Sequence, residues 1–464
     1  MIQDPKGPAD EKAPSAPFSL TGIARSIGQH GFLRSVGVLV GGTVVGQGAI
    51  LAASPLITRL YTPADYGTLA AFTALLFMLL PVSALRYELA VPLVETEEDA
   101  AGVVVLALGV VLGLVAATVL LVWLLRGEVA RWTEAPALAP LLWLLPVALA
   151  LGGAYHVLSH WAIRRRDFTV ISRCEMTRPL TKVVTQLGLG LLKAGPAGLV
   201  LAEITGRVGG IAPLTRGALP WLRARLPLVE RRSIAALARQ HWRFPVLTGG
   251  GTLLGAAASH LPALLIAGLF GLQAAGWLAL ALRLIAMPIT FLGNSIGKVY
   301  LSRAGPLAGR DGRSLRRLYL RTGLLLLSCG AIPALALLVA GPPLFGAVFG
   351  DAWREAGLYA RLLAPMFLGQ FVMAPLSNTL DLLGRQRTTL LWHAARLTVV
   401  VAAFLVSKRL DLGAATAIGA YGVGTACLYL LLFLLTLRGV GTSAGALSIA
   451  PRAPAIDPAP TDRE

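Results

Sequence analysis

The sequence predicts an all-α membrane protein that crosses the bilayer about twelve times. Of its 464 residues, 56% are hydrophobic and 14% are charged, whereas a soluble domain has about 25% charged residues. The apolar residues form runs long enough to cross a bilayer core of about 30 Å, and such runs satisfy their backbone hydrogen bonds as helices rather than as strands. The predicted spans are approximately 35–58, 67–85, 101–125, 139–162, 168–192, 196–215, 246–270, 274–296, 320–341, 357–380, 388–407 and 413–437.

This pattern is clearest between Arg243 and Gly305. Two apolar runs, 246–270 and 274–296, are joined by the uncharged segment GLQAAG, and the outer flank of each run is basic. Lysine and arginine accumulate in the joints that stay in the cytoplasm. The region therefore predicts a membrane hairpin whose two ends lie on the cytoplasmic side.

The same rule, applied to every joint, predicts the orientation of the chain. If the N-terminus is cytoplasmic, the inner joints contain 25 lysine and arginine residues and the outer joints contain 7. That asymmetry places both termini on the cytoplasmic side of a multi-pass membrane protein. The formal net charge of +18 is thereby explained as a topology signal, and nucleic acid is not expected as a partner.

The longest joint between spans divides them into two groups of six. It contains the basic amphipathic stretch ERRSIAALARQHWRF, which is typical of a helix on the membrane surface. The predicted organisation is a cytoplasmic segment at 1–34, an N-lobe at 35–215, a basic cytoplasmic linker at 216–245, a C-lobe at 246–437 and a disordered cytoplasmic tail at 438–464.

An internal repeat relates the two lobes. The pattern GGTxxG occurs at 41–46 and again at 250–255, an offset of 209 residues, and DYG at 65–67 aligns with AAG at 274–276 at the same offset. A repeat unit with an even number of spans keeps both copies in the same orientation. The lobes are therefore predicted to be related by a rotation about the membrane normal.

Charged residues inside the spans are the main functional signal. Charges at membrane depth are costly and usually face a bundle interior or a water-filled cavity. Because the cations outnumber the carboxylates, we predict a hydrated cationic cavity that suits an anionic cargo. The cations are Arg178, Lys182, Arg207, Arg283, Arg361 and Arg396, and the carboxylates, as possible coupling or charge-balancing groups, are Glu175, Glu203 and Asp381.

Arg283 is the sharpest member of this set. It lies midway along the eighth span, too far from either end for its side chain to reach an interface easily. We predict that it faces the cavity, with Glu203 or Glu175 balancing its charge when the site is empty. For any single residue, snorkelling or local pairing is an open alternative, and Glu203 with Arg207, spaced i,i+4, is the best candidate for a plain ion pair.

Enzyme chemistry is not indicated by the sequence. It contains no zinc-protease or phosphate-loop motif, no catalytic residue is identified, and the outer joints are short. The three cysteines lie within apolar runs and do not have metal-ligand spacing. We therefore expect a transporter that needs neither a metal nor a cofactor.

Several sequence motifs, which together cover about three quarters of the chain, indicate a family. They are PLITRLYTPADYGTLAAF at 55–72, LRYELAVPL at 85–93, FP at 244–245, LP at 261–262, LALRLIAMP at 280–288 and LFGAVFGDAWREAGLYARLLAP at 344–365. In these motifs and their order, the chain resembles the bacterial oligosaccharide flippases. Those proteins form the polysaccharide-transporter branch of the multidrug/oligosaccharidyl-lipid/polysaccharide exporter superfamily.

That resemblance implies an architecture and a cargo. The architecture is a V-shaped bundle of two six-helix lobes around a central cavity, which works by alternating access. The cargo is an oligosaccharide linked to undecaprenyl diphosphate, moved across the inner membrane for exopolysaccharide, O-antigen or other surface glycan synthesis. The implied partners are this lipid-linked oligosaccharide, membrane lipids and, in the same pathway, a glycan polymerase and glycosyltransferases.

Four other functions stay open at this point. A multidrug cation antiporter of the same superfamily would need carboxylates in its cavity more than arginines. Flippases of the peptidoglycan lipid precursor usually have fourteen spans, two more than are predicted here. A membrane glycosyltransferase or glycan polymerase, which belongs to a different class, would need catalytic carboxylates and long outer loops. A scaffold for assembly without transport activity would need none of these features.

Overall fold

The computed structural model describes residues 30–229, 231–308 and 310–442, except for the side chains of a few residues within those ranges. All regular structure in the described residues is helical. The predicted fold class, an all-α membrane protein of about twelve long helices in two lobes, is confirmed. Most of the predicted N-terminal segment and C-terminal tail lie outside the described residues.

Twelve long helices correspond one to one to the predicted spans. They are α1 His30–Leu60, α2 Pro63–Leu79, α3 Glu97–Trp132, α4 Leu144–Arg164, α5 Phe168–Leu191, α6 Gly195–Arg225, α7 Gly250–Phe270, α8 Leu272–Pro288, α9 Gly312–Phe349, α10 Arg354–Leu376, α11 Gln386–Arg409 and α12 Ala414–Thr442. Shorter helical segments fill the joints, including Arg231–Gln240 before α7 and Asn294–Leu307 after α8.

Eleven stretches within the described residues are long and apolar enough to cross a membrane, and they include every long helix except α5. Helix α5 has the necessary length of 24 residues, but it contains Arg173, Glu175, Arg178 and Lys182. In the fold it packs between α1 and α6. Its charges are tolerated because neighbouring helices supply partners, so α5 belongs to the bundle despite its composition.

Several helices are longer than the predicted spans. Helices α3 and α9 have 36 and 38 residues, which at 1.5 Å per residue is about 55 Å and exceeds the apolar thickness of a bilayer. Helix α6 continues to Arg225, so the first third of the predicted linker is helical. The amphipathic helix predicted in the linker forms at Arg231–Gln240, and its Leu237 is buried against Gly102 of α3.

The two lobes touch closely where α2 meets α8. A Cβ atom built on Gly67 would lie 1.8 Å from the carbonyl oxygen of Leu272, and one built on Gly276 would lie 1.8 Å from the carbonyl oxygen of Pro63. Only glycine permits such an approach. Gly67 and Gly276, like Pro63 and Leu272, are separated by the 209-residue offset of the repeat. Such a reciprocal contact is what a local two-fold axis requires.

This contact lies at the end of the bundle opposite the strongly basic joints, and we call it the closed end. Helix α2 begins there with a capping box, in which the Thr62 side chain and the Asp65 carboxylate bond each other's backbone N–H groups. Trp353, in the joint before α10, donates its indole N–H to the Thr58 carbonyl oxygen of α1 over 3.0 Å and meets the Tyr66 ring edge-on. The motif TPADYG thus joins the lobes at this end.

The basic end of the N-lobe is held by one arginine. The Arg164 guanidinium, at the end of α4, donates to the carbonyl oxygens of Val91, Val94, Glu95 and Thr96 and to the Glu97 carboxylate. Charge-assisted hydrogen bonds of this kind are stronger than neutral ones. They fix the path of the chain between α2 and α3.

Candidate substrate cavity

A cavity of about 540 Å³ lies between the two lobes. Helices α1, α2, α5 and α6 line it from the N-lobe, and α7, α8, α10, α11 and α12 line it from the C-lobe. Along α8 it extends from Ala279 to Met287 and continues to Phe291 in the turn that follows. Because Phe291 is on the basic side of α8, the cavity extends away from the closed end.

The N-lobe wall contains a buried cluster of three charges. Glu203 on α6 is 3% exposed and accepts hydrogen bonds from Lys182 Nζ on α5 and, over 2.9 Å, from Arg207 Nη2 one turn along its own helix. The predicted i,i+4 pair is therefore present. Each carboxylate oxygen of Glu203 accepts a hydrogen bond from one of the two cations.

Small residues make room for this cluster. A Cβ atom on Gly206 would lie 3.0 Å from the Lys182 Cβ atom, and one on Gly152 would lie 2.9 Å from Arg207 Nη1. The Arg207 guanidinium also lies 5.6 Å from the centre of the Phe77 ring, a cation–π contact that stabilises a desolvated cation. The close packing of α5 and α6 thus holds the charges in a fixed arrangement.

The C-lobe wall presents two arginines in a different way. Arg283 on α8 lines the cavity beside Tyr66 of α2, and no carboxylate in the described residues lies within 4 Å of its guanidinium. Arg396 on α11 is 8% exposed, donates to Ser259 Oγ over 3.3 Å and lies 5.6 Å from the Trp392 ring centre. Neither arginine has an ion-pair partner in the part of the chain that the structure describes.

The charge balance of the cavity follows from these contacts. Its described lining contains three cations, Lys182, Arg283 and Arg396, and one carboxylate, Glu203. That carboxylate is shared with Arg207 behind it. Among the described residues, Glu203 forms ion pairs with Lys182 and Arg207, and no ion pair joins it to Arg283, contrary to the predicted charge balance. The space between the lobes carries excess positive charge, concentrated on the C-lobe side.

Three of the six predicted cations do not line the central cavity. Arg178 and Arg207 border a small neighbouring void with Tyr155 and His156. Arg178 lies over the Tyr155 ring at 5.9 Å, and the Tyr155 hydroxyl donates to Glu175 over 2.9 Å. Glu175 is thus engaged inside the N-lobe and, like Glu203, does not reach Arg283.

Arg361 is placed outside the cavity, contrary to the prediction. It is exposed and faces Gly341 of α9. At 3.6 residues per turn it is rotated by about 140° and 180° from Met366 and Gln370, the α10 residues that line the cavity. Asp381 lies in the short helix Asn378–Leu382 after α10, and its side chain is outside the described residues.

Neutral polar residues also line the cavity, and they are not among the site residues predicted from intramembrane charge. The signal was present in the sequence, since glutamine, histidine and tyrosine are also uncommon deep in apolar runs. They can donate hydrogen bonds to sugar hydroxyls or phosphate oxygens. These residues are Gln47 on α1, Tyr66 on α2, His260 on α7, Gln370 on α10 and Tyr421 on α12.

Comparison with known proteins identifies the family. The profile of a family described as "Polysaccharide biosynthesis protein" matches residues 56–357, more than half of the chain. The chain belongs to this family. The family resemblance predicted from the sequence motifs is thereby confirmed. No sequence among the curated proteins matches the chain significantly.

Solved structures with a similar fold are multidrug transporters. The family member described here matches the inward-facing conformation of a multidrug resistance MATE family transporter of the MOP superfamily with a TM-score of 0.67 and 13% identity, over 88% of this chain and 96% of the other. The outward-facing conformation of such a transporter matches with a TM-score of 0.50 and 13% identity, over the same shares. At this identity the matches establish the fold alone.

Proposed function

We propose that this member of the polysaccharide biosynthesis family moves an oligosaccharide linked to undecaprenyl diphosphate across the bacterial inner membrane. The observation that supports this most directly is the pair of cavity arginines, Arg283 and Arg396, which have no carboxylate partner. Arginine keeps its charge at any relevant pH and binds phosphate oxygens through two parallel N–H groups. A diphosphate would supply the negative charge that the cavity lacks.

The same geometry disfavours a cationic cargo. A drug cation would need a free carboxylate, and the only one in the described cavity lining, Glu203, is already bonded to Lys182 and Arg207. Removing it from those partners would leave two buried cations unpaired, which is costly. An anionic cargo requires no such rearrangement, because it meets Arg283 and Arg396 as they are.

The contacts at the closed end support transport by alternating access. The lobes seal the path there through Gly67 and Gly276, while the cavity extends towards the basic end. With both termini cytoplasmic, as the distribution of basic joints predicts, the cavity takes the cargo from the cytoplasmic side. Rotation of the N-lobe (35–215) against the C-lobe (246–437) would break the closed end and release the glycan outside.

In this proposal the protein is a transporter rather than an enzyme, and its pathway partners are defined by the cargo. Glycosyltransferases must build the oligosaccharide on the lipid before it enters the cavity. A glycan polymerase or a transferase must consume it on the other side. Arg283, Arg396 and Lys182 are the proposed diphosphate ligands, and Arg207 and Arg178 support them from within the N-lobe.

The decisive experiment replaces Arg283 in a strain that lacks any second flippase. Arg283→Ala should reduce glycan export about tenfold or more, the loss expected for a charge-assisted hydrogen bond. Arg283→Lys should keep part of the activity, because the charge remains while the paired donors are lost. The matched control is Arg361→Ala, which removes a span arginine that is exposed outside the cavity and should leave export unchanged.

Export is measured as surface glycan, together with the lipid-linked oligosaccharide that accumulates in cells. Normal export by Arg283→Ala at normal abundance would overturn the proposal. Efflux of a cationic dye is measured in parallel. Efflux of the dye by the wild-type chain, with glycan export unaffected by the Arg283 variants, would instead favour a drug antiporter.

A further inference from the structure

The membrane-facing surface of the C-lobe contains a second, apolar cavity. This groove has a volume of about 440 Å³ and is formed by α9, α10 and α12. Tyr429 is the only polar side chain in its described lining. Leu324 and Leu430 at its rim are 68% and 61% exposed, so the groove opens towards the lipid.

The groove is built into the helix packing. Its floor contains Gly323 of α9 and Gly369 of α10. A Cβ atom on Gly369 would lie 2.8 Å from the Tyr429 Cβ atom, and one on Gly323 would lie 3.1 Å from the Phe433 ring. The three helices approach closely at these glycines, and the larger side chains around them form the walls.

The groove and the central cavity are neighbours. A smaller cavity of about 190 Å³ lies between them. It shares Met373 and Tyr429 with the groove and Gln370 with the central cavity. Gln370 and Met373 are less than one turn apart on α10. One turn of this helix therefore separates the cationic space between the lobes from the apolar space at the lipid surface.

The groove lies in the half of the membrane next to the basic end. Its α9 residues, Leu320 to Leu327, belong to the first half of that helix, and its α12 residues run from Ala426, at the middle of that helix, to Phe433 in the second half. Both stretches are near the helix ends that face the basic joints. In the proposed orientation this is the leaflet from which the cargo is taken.

We propose that the groove holds the first part of the polyprenyl chain while the diphosphate lies in the central cavity. This inference rests on the proposed function and adds to it a second subsite for the lipid. One amphiphile has an anionic head that matches Arg283 and Arg396 and an apolar tail that matches the groove. The small cavity between them borders both sites, at Gln370 and at Met373, so a shift of these side chains would let both ends of one lipid bind at once. A bulk phospholipid would fill the groove without reaching Arg283 and Arg396.

The test uses the full-length chain in nanodiscs and polyprenyl diphosphate without sugar. One probe has a photoreactive group in the isoprene units next to the diphosphate, and a second has it on the diphosphate. The tail probe should label α9, α10 and α12 around the groove, and the head probe should label α8 near Arg283. Ala426→Phe, which fills the groove, should weaken binding about tenfold, the loss expected when a few methylene groups are no longer buried.

The matched control is Ile332→Phe, because Ile332 is 75% exposed on α9 but does not line the groove. It should bind and label as the wild type does. Head labelling with tail labels spread evenly over the lipid-facing surface would overturn the groove and leave the proposed function intact. Tail labelling that excess phospholipid abolishes would assign the groove to phospholipid and also overturn the inference. Absence of head labelling in the wild type would contradict the proposed function itself.

Discussion

The two walls of the central cavity hold their charges in opposite ways. On the N-lobe side, Glu203 binds Lys182 and Arg207 in a buried cluster. On the C-lobe side, Arg283 and Arg396 face the same space with neutral neighbours and no described carboxylate partner. The two lobes therefore differ in the way their charges line the cavity.

The difference separates stability from recognition. Removal of one partner from a buried ion pair leaves the other as an uncompensated buried charge, which destabilises the protein. The N-lobe cluster is therefore needed for stability. An arginine without a carboxylate partner can form an ion pair with an anionic ligand. The C-lobe arginines are therefore the ones whose ion pairing changes when cargo binds. A substitution in the N-lobe should act mainly on unfolding, and one in the C-lobe mainly on transport.

The largest expected effect is that of Glu203→Gln. It leaves Lys182 and Arg207 buried without their carboxylate, which should lower the free energy of unfolding by about 3–5 kcal/mol. Thermal unfolding of the purified protein in detergent measures this loss. Glu175→Gln, which weakens a single hydrogen bond with Tyr155, is the control and should cost only about 1 kcal/mol. An unchanged melting temperature for Glu203→Gln would remove the distinction between the two walls.

Substitutions at the closed end test whether the two lobes contribute equally to the contact between Gly67 and Gly276. Gly67→Val and Gly276→Val should each force the backbones of α2 and α8 apart, because no side chain fits in the reciprocal contact. Both should make a cysteine introduced at Ala263, in the cavity, react with an impermeant thiol reagent added outside. The background is a chain without its three native cysteines. Gly109→Val, at a position with open space around it, should leave the cysteine protected.

Equal effects of the two valine substitutions would support the two-fold relation between the lobes. A strong effect of one and none of the other would show that the contact is not equivalent in its two halves.

The smallest expected effect concerns Glu88, a buried acidic residue at the basic end of the N-lobe. At the 209-residue offset, the corresponding residue of the C-lobe is the uncharged Gly297. Glu88 is 3% exposed, and burial raises its pKa above the usual value, although Arg86 at 3.5 Å opposes this. Its contribution to stability is therefore complete below the unfolded pKa of about 4.3 and is lost as the pH rises through the folded pKa.

Glu88→Gln stays uncharged at every pH, so it should melt at a higher temperature than the wild type at pH 8, with a difference that narrows towards pH 5. Melting curves across this range measure the effect, with Glu98→Gln at a nearby exposed position as the control. A difference in melting temperature between Glu88→Gln and the wild type that widened towards acid pH would contradict the buried-charge explanation.

Most of the fold was predictable because the bilayer imposes a length on every span. Even α5 was identified correctly, since its run lies between two clear joints although it contains Arg178 and Lys182. The helix ends were less predictable. Helices such as α6, which continues to Arg225, extend beyond the apolar layer into water, where hydropathy no longer marks the boundary.

The allocation of charges within the cavity was only partly predictable. The position of Arg283 in the cavity followed from its depth in the span. The local pairing of Arg207 followed from its spacing to Glu203. Arg361 lies outside the central cavity because of which face of α10 turns inward. Glu203 pairs with Lys182 because Gly206 lets α5 approach α6 closely. Both are properties of helix packing between segments distant in sequence, which one helix alone does not encode.

The reciprocal contact of Gly67 and Gly276 also has an electrical consequence. A hydrated, positively charged passage through a membrane is a conduction path for small anions, and a unit charge that crosses 100 mV releases about 2.3 kcal/mol. At the closed end, backbone lies directly on backbone with no space for a side chain, and so with none for a file of water. A transporter with this seal can keep a cationic cavity in an energised membrane without discharging the membrane potential.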